Sequence, residues 1–424
     1  MSIALPRGVK DFLPDMAGKM NRLEERLSDC FELWGYRGVI TPSIENLDVI
    51  ALAEPELLER MFKFEDRDSG KLLALRPDMT AQIARLASSH LKDRPLPLRL
   101  HYGGPVLHYG TGEKGERREI YQNGLELIGL RQPEADGEVI AVAIEALKST
   151  GLTGFKIDVG QVEFFRSVIE GLSLPYDLRG EVEAAVARKD RSGLEDILPR
   201  LKLKADDVEV LLALPTLFGD RTVLDRAAGM KLNARAKKAL ENLSGVLDTI
   251  DSYGLMEYIT VDLGEIRGLN YYTGVIFEGF VAGVGEELCG GGRYDTLLGR
   301  YGYDAPATGF AISIETLMKA LSMQSALPDA GCVDFLVVSG GEKIHDAMQL
   351  ARALREKGFK VARDIEERKL EKSLAYAKRE CMGKLIVVGD KDSAPDELLL
   401  VDIESDKSIR CSLADLTGGQ LKFA

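Results

Sequence analysis

Residues 97–130 read PLRLHYGGPVLHYGTGEKGERREIYQNGLELIGL. Two strand-like runs, "PLRLHYGGPVLHY" and "YQNGLELIGL", flank the loop "GTGEKGERRE" at residues 110–119. That loop carries three glycines and several charges and is longer than a hairpin needs, which points to a function. Residues of equal parity share one face of a strand, so Gln122, Gly124 and Glu126 point the same way. A glycine between two polar groups leaves room for a small ligand over the sheet. Glu126 can then accept from an imidazole N–H, with Gln122 as a second polar contact. An exposed polar sheet face fits the same pattern.

Working outward, Met16 to Leu33 reads as a helix: Leu23, Leu27 and Phe31 recur at helical spacing and Gly35 ends it. "YRGVITPSIE" reads as a strand leading to a turn. In "ALRPDMTAQIAR", Arg76 and Asp78 stand at a strand end, and Thr80 can cap the helix that follows. A carboxylate placed there can hold an amino group or serve as a surface cap. In "EIRGLNYYTGVIFEGF", Arg267 can meet a carboxylate or phosphate, and Tyr271 and Tyr272 can line a pocket; packing of aromatics in a strand is the other reading. Gly290, Gly291 and Gly292 permit close backbone approach to a ligand.

The chain of 424 residues is too long for one ordinary core. Its 45% hydrophobic and 29% charged residues make an ordinary globular balance. No apolar run is long enough to span a bilayer, and Met1 to Asp15 lacks the apolar stretch of a secretory signal. Five cysteines lie far apart, which suggests neither a metal site nor a disulfide framework and fits a reducing cytoplasm. The net charge of −13 argues against broad capture of nucleic acid. Texture divides the chain into a core domain at 1–325, with a helical insertion at 170–250, and a small α/β domain at 332–424 with a largely parallel sheet. In that last domain the helix "ERKLEKSLAYAKRE" offers a basic face, although residues 331–424 hold 16 Lys or Arg against 17 Asp or Glu.

"LRPDMT", "YQNGLE", "RGLNYYTGVIFE", "GGGRYD" and "ATGFAISIE" occur in the order found in histidyl-tRNA synthetase, and the chain resembles that class II synthetase family along its whole length. The resemblance implies an α+β fold: a class II synthetase-like antiparallel sheet flanked by helices, with a helical insertion and a small C-terminal α/β domain like the family's anticodon-binding domain. It implies dimerisation through the core. It also implies that Asp78, Thr80, Gln122, Glu126, Arg267, Tyr271 and Tyr272 form a histidine pocket.

The departures bear on the chemistry. Where the family has roughly "FRHER", this chain has "LHYGT": His108 replaces an arginine, Gly110 a glutamate and Thr111 the next arginine. Glu116 replaces a further arginine of the loop, Thr316 the arginine of the last signature, and Asn270 the usual aspartate. Arg118 and Arg267 remain. Adenylate formation crowds negative charge that fixed arginines neutralise, and a histidine lacks their bidentate fork. His108, Gly110, Glu116 and Thr316 therefore mark a degenerate ATP site, with no catalytic residue, cofactor or metal expected. The pattern, with Met79, resembles the non-catalytic branch of the family: the regulatory subunits of ATP phosphoribosyltransferase. That resemblance implies a short-form catalytic subunit as partner, histidine as effector, and homodimers within a hetero-octamer, in the cytoplasm and without membrane or tRNA. An active histidyl-tRNA synthetase and a stand-alone histidine sensor are the alternatives.

Overall fold

The computed structural model describes residues 4–53, 58–59, 61–110, 117–172, 174–201, 203–265, 271–340, 343–366, 368–390, 394 and 397–412. The chain divides into two compact units, Met1–Pro328 and Asp329–Ala424.

The first unit contributes β1 (Arg37–Gly38), β2 (Ile44–Asn46), β3 (Lys63–Glu65), β4 (Leu72–Leu75), β5 (Leu98–Leu107), β6 (Glu119–Ile128), β7 (Phe155–Gln161), β8 (Phe218–Gly219), β9 (Ile259–Asp262), β10 (Val275–Val281), β11 (Cys289–Arg293) and β12 (Ala307–Ser313). Nine of them form one sheet in the order β1-β5-β6-β12-β11-β10-β7-β9-β8, and β2-β4-β3 form a second, small one. From β5 across to β7 every pairing is antiparallel. Only β1 with β5 and β7 with β9 run parallel. Long connections separate both of those pairs in sequence, as parallel pairing requires: the β2-β4-β3 sheet with short helices between β1 and β5, and a mainly helical segment between β7 and β9.

Strand parity decides what each face meets. Leu125 and Leu127 of β6, Phe310 and Ile312 of β12 and Phe277 of β10 join one large core. Helix Pro14–Leu33 seals it with Leu23, Leu27 and Phe31, all fully buried. Helix Pro133–Ser149 is buried along most of its length against the same face. Both helices begin on a proline followed by an acidic first turn, which suits the unpaired N–H groups there. Between β7 and β9 the chain is helical apart from the two-residue β8. The longest of those helices, Ala234–Ser252, packs on Pro133–Ser149 and adds to the same core. On the opposite sheet face, Leu98, Leu100 and Tyr102 of β5 and Ile128 of β6 meet helix Thr80–Leu86 through Ala81, Ile83 and Ala84.

The second unit contributes β13 (Phe335–Ser339), β14 (Val361–Arg363), β15 (Lys384–Val388), β16 (Leu398–Asp402) and β17 (Ser408–Cys411), in the order β14-β13-β15-β16-β17. Here the expectation of a largely parallel sheet needs correction. β14, β13 and β15 run parallel, but β16 and β17 add two antiparallel strands. Helices Ile344–Glu356 and Leu370–Arg379 supply Ala347, Leu350 and Ala377 to cores on opposite faces of this sheet. Among the described residues no helix is long and apolar enough to cross a membrane, and no His, Cys, Asp and Glu cluster could hold a metal ion.

Candidate functional site

Small residues make the floor of a cavity over β6, β12, β11 and β10. One cross-strand row runs Tyr102, Gly124, Ala311, Gly290, Glu278; the next runs Glu126, Gly309, Gly292, Ile276. With no bulk rising from the middle of either row, a space of about 480 Å³ opens above them. Asp78, Thr80, Gln122, Tyr271 and Tyr272 line it, as do Tyr294, Glu278 and Glu287. Gln122 Oε1 is buried without a hydrogen-bond partner. None of the described lining residues is an arginine or lysine.

Asp78 reaches the cavity from the turn before helix Thr80–Leu86. Its Oδ1 accepts the Ala81 N–H at 3.1 Å. Asp78 therefore satisfies an unpaired N–H of that helix, whereas Thr80, expected as the cap, is its first residue. Burial raises the Asp78 carboxyl, while the Ala81 and Thr80 N–H groups and the charge of His108 pull it down. Arg76, two residues earlier, is a strut: its guanidinium donates to the carbonyls of Pro105 at 2.6 Å and Thr41 at 3.0 Å.

Glu126 lies beneath the cavity wall rather than on it, only 1% exposed. The Tyr294 hydroxyl meets its Oε2, and the Tyr102 hydroxyl stands 3.4 Å from Oε1. A Cβ on Gly309 would overlap Oε2, so only glycine fits under this carboxyl. Burial pushes the Glu126 carboxyl up to about 8 against the pull of the Tyr294, Thr80 and Tyr102 hydroxyls, and the charge of Asp78 adds to the rise. The room expected over Gly124 is filled from within: a Cβ there would stand 2.6 Å from the Tyr102 oxygen. The glycine run also divides. A Cβ on Gly291 or Gly292 would be crowded by Phe310 or by Tyr272 and Ile276, whereas a Cβ on Gly290 would meet nothing closer than 3.9 Å. The residue after the run, Arg293, reaches the other sheet face and grips Asp136 of helix Pro133–Ser149 at 2.9 and 3.1 Å.

The other marked positions cluster near the foot of the β5–β6 loop. His108 Nε2 donates to the Pro77 carbonyl at 2.7 Å, and its backbone N–H bonds Arg118 O at 2.8 Å. Gly110 takes a φ of +81°, which favours glycine. Arg118 lies 5.4 and 5.8 Å from the ring centres of Tyr109 and Phe62. Thr316 is buried at the start of helix Ile314–Met323, its hydroxyl 3.0 Å from Ser313 Oγ and 3.3 Å from an Arg117 nitrogen. Arg117 also pairs with Glu286. Thr111, Glu116, Arg267 and Asn270 lie outside the described residues.

A model of the histidyl-tRNA synthetase family matches residues 8–317, and one of an anticodon binding domain matches 316–419. The ATP phosphoribosyltransferase regulatory subunit of Syntrophotalea carbinolica is 47% identical, the match covering 99% of this chain and 97% of that one. The regulatory subunit of Geobacter sulfurreducens is 43% identical over 97% and 94%. The chain belongs to the family of ATP phosphoribosyltransferase regulatory subunits. A crystal structure described as an ATP phosphoribosyltransferase regulatory subunit/histidyl-tRNA synthetase, from Bacillus halodurans C, superposes with a TM-score of 0.80 at 32% identity, over 91% of this chain and 98% of that one. Histidyl-tRNA synthetase from Nostoc sp. PCC 7120, 21% identical, shares the fold with a TM-score of 0.85 over 99% and 98%.

In this regulatory-subunit chain five positions singled out in the sequence share one cavity: Asp78, Thr80, Gln122, Tyr271 and Tyr272. Tyr102, Tyr294, Glu278 and Glu287 complete the site and were not singled out. Tyr294 stands two residues after the glycine run, the one local signal that pointed its way. Tyr102, Glu278 and Glu287 became visible only through strand register and cavity lining.

Proposed function

We propose that this chain is a non-catalytic subunit that binds histidine in the cavity over β6, β12 and β11 and governs a short-form ATP phosphoribosyltransferase catalytic chain, at the first step of histidine biosynthesis in the cytoplasm. In this reading it activates that partner and carries feedback inhibition by histidine, as homodimers within a hetero-octamer.

The observation that carries the reading is the cavity wall: carboxylates and tyrosines over a small-residue floor, with no cation among the described lining residues. Carboxylates and an unpaired amide oxygen suit an ammonium and an imidazole N–H. A triphosphate would need fixed cations there, and losing one such group costs orders of magnitude in rate. Thr316 is committed to its helix start and His108 to Pro77, which supports their reading as parts of a degenerate ATP site. The wide match to regulatory subunits supports the same reading.

The second reading, a working synthetase, draws on the anticodon binding domain matched at 316–419. Histidine-dependent exchange of pyrophosphate into ATP separates the two. The regulatory reading expects no exchange by purified protein that binds histidine in calorimetry. Exchange at synthetase rates would overturn it.

A further inference from the structure

We propose that histidine enters the cavity in exchange for the proton of the Glu126 carboxyl, so that the affinity of the site rises with pH. This rests on the reading of the cavity as a histidine site and adds a regulatory input to it.

The geometry is that of a sealed carboxyl. Glu126 is closed off by Gly309 on β12, by Tyr102 on β5 and by Tyr294 after β11. Both tyrosine hydroxyls can accept from a carboxylic acid or donate to a carboxylate, so the pair accommodates either state. Tyr271, 5.5 Å from Tyr294 ring to ring, backs that tyrosine from the cavity side. The charged neighbours are mostly negative. Asp78 faces Glu126 from the turn before helix Thr80–Leu86, beside the Thr80 hydroxyl. Glu278 on β10 and Glu287 before β11 stand on the cavity wall. His108, beyond the end of β5, acts on Asp78. Tyr36, near β1, feels Glu126 as a negative charge. No described arginine or lysine is bonded to Glu126.

A carboxyl buried among neutral hydroxyls and negative neighbours is held as the acid until a positive charge arrives. Burial places the change near pH 8, so at neutral pH the empty site carries the proton. A ligand ammonium on the Asp78 and Glu278 side of the cavity supplies that positive charge. The Glu126 O–H bond then breaks, its electron pair stays on the carboxylate, and the proton passes to buffer. No other bond changes. Because the ligand cannot bind fully until the proton leaves, affinity and proton release are two readings of one event.

The test is calorimetry of the full chain with L-histidine at pH 7, in phosphate and in Tris, whose ionisation heats differ. The wild-type protein is compared with Glu126→Gln, so that the ligand's own ionisation cancels in the difference. The expected difference is about 0.9 proton released per site, and the wild-type Kd falls on the order of tenfold from pH 6.5 to 8 while that of Glu126→Gln stays flat by comparison. Equal proton counts and parallel pH profiles in two proteins that both bind histidine overturn the proposal and leave the cavity reading intact. Absence of histidine binding by the wild-type chain removes both. Should Glu126→Gln fail to fold, Tyr102→Phe serves instead: loss of one hydroxyl moves the wild-type pH profile upward, and an unmoved profile counts against the proposal.

Discussion

The two faces of the nine-stranded sheet each bury a carboxylate, and they treat it in opposite ways. On the helix-covered face Asp136, 1% exposed, is gripped by Nε of the Arg293 guanidinium, whose Nη1 holds both the Leu130 carbonyl and Asp295. On the cavity face Glu126, equally buried, has tyrosine hydroxyls and, among the described residues, no bonded cation. A paired charge ties a helix to a sheet, whereas a buried carboxyl whose described partners are hydroxyls can respond to a charge brought close to it. The same fold thus separates a structural lock from a responsive site by the thickness of one sheet.

The difference can be broken first at the lock. Asp136→Ala leaves Arg293 buried without its main partner, and the expected loss is about 3–5 kcal/mol of stability in urea unfolding; a loss under about 1 kcal/mol would put the two carboxyls in the same class. At the responsive site Glu126→Ala is expected to weaken histidine binding by about 1.5–3 kcal/mol in calorimetry, with a smaller effect on unfolding. Unchanged affinity would place the ligand elsewhere.

The pH dependence of stability sharpens the contrast further. The folded Glu126 carboxyl sits above its unfolded value, so the folded chain holds the proton more tightly. Its contribution is fully present below about pH 4.5 and is lost as pH rises toward about 8. The thermal midpoint of the ligand-free protein should therefore decline across that window, and Glu126→Gln should flatten the decline; identical slopes in both proteins would count against it. The smallest effect is expected at the surface pair Arg117 and Glu286, where both side chains are about a third to half exposed. Glu286→Ala should cost less than about 1 kcal/mol.

Local periodicity made much of this legible. Leu23, Leu27 and Phe31 announced the helix that closes the core, and strand parity put Gln122, Gly124 and Glu126 on one face as found. Register between distant strands was not legible. Tyr102 is opposite Gly124, and Gly309 opposite Glu126, only because β5 and β12 flank β6 in that register, so the use of the glycine space could not be read from β6 alone. Asp136 and Arg293, 157 residues apart, carry no mutual signal in sequence. In the second unit the antiparallel place of β16 beside β15 depends on a partner that periodicity does not name.

The central claim, that this chain governs a catalytic partner and does no adenylation itself, is tested most directly by mixing. A short-form ATP phosphoribosyltransferase catalytic chain is assayed for phosphoribosyl-ATP formation with and without this protein, and then with added histidine. The expected result is a marked rise in rate on mixing that histidine reverses. An unchanged rate in the mixture, together with charging of transfer RNA by this chain alone, would contradict it.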